Sequence, residues 1–180
     1  SAESGTLKKI NFSNCMALRN VECLYNSLLE LEIDNCDNLT TINVRNNKLT
    51  QLDVSTCQNL KYLTCNANYI YELKLNSQLS SLYCFDNQLQ VLNLTNSPNL
   101  RSLDCSNNKL ISLDINQNSN LETLKCSNNQ IQSLDISNNS ILISLNCLNN
   151  PIPIIWVWEG FDPSLKHWSV PEGVEYKIKQ

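Results

Sequence analysis

The sequence predicts a solenoid built mostly of β-strands, and three observations predict it. The stretch LRSLDCSNNKLISLDINQNSN, from Leu100 to Asn120, recurs along most of the chain at a period of 21 residues. Within each repeat apolar residues alternate with polar ones at a spacing of two, as in a strand with one side turned inward. Only three glycines serve 180 residues, so the corners must be turned by Asn, Ser and Asp, which tolerate left-handed backbone angles and bond their own main chain. Self-similarity at such a period means coils that bury their apolar edges only by stacking on one another.

Each coil holds two nested units. Units of the first kind, Leu-x-x-Leu-x-Cys-x-x-Asn-x-Leu, begin at Leu18, Leu39, Leu60, Leu79, Leu100, Leu121 and Leu142. Those of the second kind, Leu-x-x-Leu-x-Ile, begin at Leu7, Leu28, Leu49, Ile70, Leu89, Leu110 and Ile131. Only the step from Ile70 to Leu79 is short, by two residues. The second half-coil has the same strand-like spacing and no helical stripe, so parallel strands are expected on both sides of each coil. If both sides repeat at about 4.8 Å, neither is wider and the curvature is low.

The segment LETLKCSNNQIQSLDISNNSI, Leu121 to Ile141, carries the pattern intact. It resembles the nested 21-residue leucine-rich repeat of bacterial surface proteins, the IRREKO class, over residues 7–152. The resemblance implies a leucine-rich repeat solenoid in a secreted or cell-surface binding protein whose repeats are not catalytic. Val44 stands where the pattern expects Cys, a swap that suits a packed position better than a chemical one.

Three segments are expected: a polar tail over 1–6, a solenoid of seven coils over 7–150, and a C-terminal cap over 151–180. From Pro151 the motif stops, and the remainder holds all three tryptophans and four of the five prolines. It also holds a strand-like IIWVW and a final VEYKIKQ. A terminal coil needs such a cover, because its apolar edge otherwise faces water. No equivalent precedes Leu7, so Leu7, Ile10 and Phe12 must be covered by the short tail, by preceding sequence, or by a second copy in a homodimer.

The net charge of -4 argues against nucleic acid as a ligand, since no basic patch exists to neutralise phosphates. No run approaches the roughly 18 to 20 apolar residues of a membrane span. No signal peptide is present, which says little about export, because a leader is removed from an exported chain.

Six of the nine cysteines, Cys23, Cys65, Cys84, Cys105, Cys126 and Cys147, share one register and should form an inward column of small hydrophobes. Parallel side chains in a column do not converge as zinc ligands must. Cys15, Cys36 and Cys57 form a second column, where one disulfide between neighbours is sterically conceivable. The unbroken row Asn26, Asn47, Asn68, Asn87, Asn108, Asn129 and Asn150 should satisfy buried backbone groups on adjacent coils.

No cofactor, metal site or catalytic set is expected. The single histidine, His167, lies in the cap, far from any evident triad. The carboxylates Glu30, Glu32, Asp34, Asp53 and Glu72 stack by register alone on a surface without a cleft, with Lys9 and Lys74 beside them to offset their charge.

The outward positions distinguish the coils. In the second half they are small and near the consensus, whereas the first half carries Leu24, Tyr25, Arg45, Tyr62, Tyr83, Phe85 and Asp86, with Tyr69 and Tyr71 at the adjoining edge. Exposed aromatic and Arg residues gathered on one part of a surface are typical anchors of binding. Aromatics also suit strands and pair across ladders without any partner. The expected function is a non-catalytic adhesion or protein-binding module. A glycan is the alternative ligand, and a structural spacer the third reading.

Overall fold

A computed structural model describes residues 5–165 and 168–179, so His167 and most of the polar tail lie outside the described residues. In chain order the strands are β1 (Lys9–Asn11), β2 (Asn20–Glu22), β3 (Glu30–Glu32), β4 (Thr41–Asn43), β5 (Gln51–Asp53), β6 (Tyr62–Thr64) and β7 (Glu72–Lys74). There follow β8 (Ser81–Tyr83), β9 (Ser102–Asp104), β10 (Thr123–Lys125), β11 (Leu134–Asp135), β12 (Ser144–Asn146), β13 (Ile154–Val157) and β14 (Glu175–Ile178). Every pairing among them is parallel, and most join residues 21 apart. The result is a β-solenoid of about eight turns with almost no helix.

The first-kind units build one uninterrupted sheet, in the order β12-β10-β9-β8-β6-β4-β2. Its inward residues stack directly, since Ile42 sits opposite Leu63, Leu63 opposite Leu82, Leu82 opposite Leu103 and Leu103 opposite Leu124, all fully buried. A coil thus gains burial only from its neighbours, and the core runs the length of the chain.

The turn after this sheet explains the asparagine row. At Asn108 the side-chain oxygen accepts the Leu89 N–H at 3.0 Å, while its NH₂ reaches the carbonyls of Cys84 and Cys105 at 3.1 Å and of Ser106 at 3.2 Å. One amide therefore stitches its own turn to the coil before. Asn47, Asn68, Asn87, Asn129 and Asn150 repeat the arrangement. Among the described residues Asn26 keeps only its bond to Leu24, and its side-chain oxygen has no partner.

The second half-coils form a ladder in three pieces: β1-β3, β5-β7 and β11-β13-β14. Residues 92–94 and 113–115 bury the same apolar positions but are not paired as strands. The turn that follows this side has its own buried column, which begins as Cys36 and Cys57 and continues as Asn76, Ser97, Asn118 and Asn139. Each reaches back to the preceding coil: Cys36 Sγ to the Phe12 carbonyl at 3.1 Å, Ser97 Oγ to that of Asn76 at 2.8 Å, and Asn118 Nδ2 to that of Ser97 at 2.7 Å. The position requires a donor, and a thiol supplies a weak one.

All nine cysteines are free thiols. Cys65, Cys84, Cys105, Cys126 and Cys147 are wholly buried, whereas Cys23 is half-buried and Cys15 exposed. Burial opposes the charged form, so the Cys65 and Cys147 thiols are pushed up to about 12, and those of Cys84, Cys105 and Cys126 rise well above 9.

Beyond Pro151 the motif ends but the coil does not. Leu134 pairs with Ile155 and Ile155 with Tyr176, each 21 residues on, while Asn146 bridges to Ser169 on the first side. The segment set apart by its composition is thus wound as a further turn. Trp158, Phe161, Trp168 and Tyr176 pack into one cluster, with ring centroids 5.0 to 6.4 Å apart, and lie against the core. At the opposite end Leu7 is exposed, and Ile10 and Phe12 are only half-buried.

Candidate binding surface

The outward residues of the seven-stranded sheet lie in straight rows set by the register. One row reads Asn20, Thr41, Tyr62, Ser81, Ser102, Thr123 and Ser144, and the next Glu22, Asn43, Thr64, Tyr83, Asp104, Lys125 and Asn146. Tyr62 faces Ser81, and Tyr83 faces Thr64, so the two tyrosines are diagonal neighbours over adjacent strands. Phe85 follows Tyr83 by two residues on the same side. The three rings share one patch because the pleat turns alternate residues outward and the coils stack without slippage. Tyr62 is 50% and Tyr83 38% exposed, and Phe85 is half-buried. The Tyr83 hydroxyl lies 3.4 Å from Ser102 Oγ.

Leu24 and Arg45 precede Asn66 and Phe85 in the next row. The Arg45 guanidinium stands over the Tyr25 ring, 5.4 Å from its centroid, a cation–π contact that holds both side chains against the sheet. Tyr25 and Asp86 belong to a row of left-handed residues with Asn46, Ala67, Asn107, Asn128 and Asn149, all at φ of 53° to 56°. Asn and Asp occupy that conformation readily, while Tyr25 and Ala67 occupy it at a cost. Asp86 is held by the Asn107 side chain, whose NH₂ donates to Oδ1 at 2.7 Å.

Two of the nine expected residues lie elsewhere. Tyr69 is exposed in the turn after Asn68, and Tyr71 opens the second side, where its hydroxyl meets the Gln51 side chain of β5. The structure therefore gathers Tyr62, Tyr83 and Phe85, sets Leu24, Tyr25 and Arg45 toward the N-terminal end of the same sheet, and leaves Tyr69 and Tyr71 apart.

On the second side two lysines partly offset the acidic row. Lys9 Nζ lies 2.8 Å from Glu30 and 2.6 Å from Glu32, and Lys74 lies 3.3 Å from Asp53 and 3.6 Å from Glu72. Those carboxylates are spent on ion pairs, which at this exposure contribute little to stability. No cluster of three or more metal-ligating residues occurs among the described residues, and none of their helices is long and apolar enough to cross a membrane.

Sequence reasoning missed Lys61, Arg101 and Gln78. They line a recess of about 420 Å³ at the rim of the sheet, with Tyr62 and Ser80. The two-residue shortening between Ile70 and Leu79 was its signal.

No protein-family model matches the chain, and no curated protein sequence matches it. Solved structures do. The functional domain of InlJ from Listeria monocytogenes, described as including a cysteine ladder, is 27% identical with a TM-score of 0.78, over 97% of this chain and 48% of that one. The leucine-rich repeat protein LIC12759 from Leptospira interrogans is 26% identical with a TM-score of 0.60, over 83% of this chain and 48% of that one. An internalin, InlF, from Listeria monocytogenes is 18% identical with a TM-score of 0.64, over 98% of this chain and 58% of that one. The chain spans about half the length of these three structures. Its fold is that of a leucine-rich repeat solenoid, mostly β.

Proposed function

We propose that the chain is a non-catalytic protein-binding module of the nested-repeat IRREKO class, displayed at a bacterial surface or secreted, whose partner docks on the seven-stranded sheet around Tyr62, Tyr83 and Phe85. One observation carries the reading: Tyr62 and Tyr83 face outward from adjacent strands of a continuous sheet, with half-buried Phe85 two residues beyond Tyr83, where later coils place Ser, Thr, Asp and Lys. Large rings on a rigid ladder offer contact area at little cost in rotamer entropy. Leu24, Tyr25, Arg45 and Asp86 would extend the contact, and Tyr69 and Tyr71 would reach a partner that wraps the edge. The likeness to the functional domain of InlJ, a Listeria monocytogenes protein 27% identical over this chain, supports the bacterial part of the reading. Residues 151–180 would close one end of the solenoid, and a second copy over Leu7 and Met16, both exposed, would close the other.

A glycan is the second reading, favoured by tyrosines beside Asn and Asp that can stack on sugar rings and bond hydroxyls. A glycan array run beside a cross-linking capture of proteins separates the two. Capture of a protein that is lost when Tyr62, Tyr83 and Phe85 are all changed to Ser is the expected result. A glycan signal without protein capture would replace the protein by a sugar, and silence in both would leave a spacer.

A further inference from the structure

The shortened coil makes a notch. In neighbouring coils five residues separate the last inward residue of the second side from the first inward residue of the next turn, as between Val54 and Leu60 and between Leu94 and Leu100, but only three separate Leu75 from Leu79. The missing backbone is replaced by one side chain: Asn76 Nδ2 donates to the carbonyls of Cys57 and Leu60 at 3.0 and 2.9 Å. The edge outside it is left open. Along that edge Asn38, Asn59, Asn99 and Asn120 each donate to the backbone of the coil before. Gln78 holds the corresponding position in the short coil, and there the link is missing. The recess of about 420 Å³ lies there.

Its only charged lining residues are two cations, Lys61 and Arg101, among Tyr62, Gln78, Ser80, Asn99 and Asn120. Backbone bonds run from Ser80 to Lys61 and from Arg101 to Ser80, so Lys61 and Arg101 flank a small neutral residue, two strands apart, or about 10 Å at the spacing of a parallel ladder. Lys61 is exposed and makes no ion pair among the described residues, and Arg101 shares its guanidinium with Glu122 at 2.9 Å. Two cations facing one gap stand out on a chain of net charge -4. Tyr62 forms a side of the recess and of the aromatic patch as well.

We propose that this notch receives a carboxylate-bearing segment of the protein partner, an acidic peptide whose Asp or Glu sits between Lys61 and Arg101 while its backbone runs on over Tyr62. The proposal rests on the reading of the sheet as a protein-binding surface, and it deepens that reading by giving the partner a charge. Continuity with the aromatic patch favours a peptide over an anionic polysaccharide, because one ligand then meets both the cations and the rings. Opposite charge here sets orientation and the rate of encounter more than affinity.

The test is an NMR titration of the full chain with acetyl-hexaglutamate amide. The amides of Lys61, Ser80 and Arg101 should shift, and the affinity should fall about tenfold in the Lys61→Gln/Arg101→Gln variant and decline with added salt. The Lys61→Arg/Arg101→Lys variant should retain binding. Shifts that avoid these amides, or an affinity unchanged in the Gln variant, would overturn the proposal, as would an oligogalacturonate that binds the notch where hexaglutamate does not. Hexaglutamate has no apolar side chains and so reads the notch, while partner capture reads the aromatic patch. Loss of the titration with capture retained removes the notch alone, and loss of capture with the titration retained removes the aromatic surface alone.

Discussion

The two sides of the coil share one inward pattern and end up as different structures. On the first side seven strands pair without a break, while the second side is a ladder in three pieces. The turns differ in the same sense. After the first side each amide from Asn47 to Asn150 both accepts and donates toward the preceding coil, whereas at Asn76, Asn118 and Asn139 the side-chain oxygen has no partner. Coils are joined most completely where one side chain satisfies the backbone of two turns at once. The side so joined also carries Tyr62, Tyr83 and Phe85, so the continuous face and the proposed binding face coincide.

The largest expected effect comes from pH, and it attacks the first side. The buried thiol column has folded pKa values raised above the ordinary value near 9, to about 12 at Cys65 and Cys147. An acid whose pKa is raised by folding contributes stability that is present below its unfolded value and lost as pH rises toward its folded one. Circular dichroism should therefore show a steady structure up to about pH 9 and cooperative unfolding between about 9 and 12. Replacing Cys65 and Cys147 by Val, the residue that this register already accepts at Val44, should move the midpoint upward. An unchanged midpoint would show that the thiols do not govern it.

Next in size is a direct comparison of the two turns. Asn108→Ala removes an amide that serves one N–H and three carbonyls and should cost about 3 kcal/mol or more, while Asn118→Ala should cost about 1 to 2 kcal/mol. Urea unfolding of both variants reads the difference, and equal costs would remove the distinction between the turns. The smallest effect is expected at Ala67, which holds a left-handed position that Asn and Asp fill in most other coils. Ala67→Gly should raise stability by up to about 1 kcal/mol in the same assay, and a loss would mean that the methyl group packs.

Much of this was legible in the sequence. Leu63, Cys65 and Asn68 could be placed inward because strand alternation and the coil period fix the register without any knowledge of contacts. Pairing on the second side could not, and one tetrapeptide shows why: Ser-Leu-Asp-Ile occurs at 112–115, where no strand forms, and at 133–136, where β11 pairs with β13. Whether a strand forms there depends on the neighbouring coil rather than on the local residues. The last turn was hidden for a related reason, because Ile155 and Tyr176 keep the spacing of 21 after the Leu, Cys and Asn that announce it are gone. Tyr62, Tyr83 and Phe85 could be read as outward neighbours from the register. Lys61 and Arg101 could not be read as walls of one recess, since that depends on how Asn76 closes the shortened turn.

We assign binding to the continuous face. Two variants test it side by side: Tyr62→Ser/Tyr83→Ser/Phe85→Ser on the first side, and Val91→Ser/Ile111→Ser on the second, where both residues are equally exposed to solvent or more so. With the folded state of each checked by circular dichroism, the affinity for the captured partner should fall at least about a hundredfold, or about 3 kcal/mol, in the first variant and stay within about threefold of wild type in the second. Retained affinity in the first variant, or a loss confined to the second, would place binding elsewhere than on the continuous face.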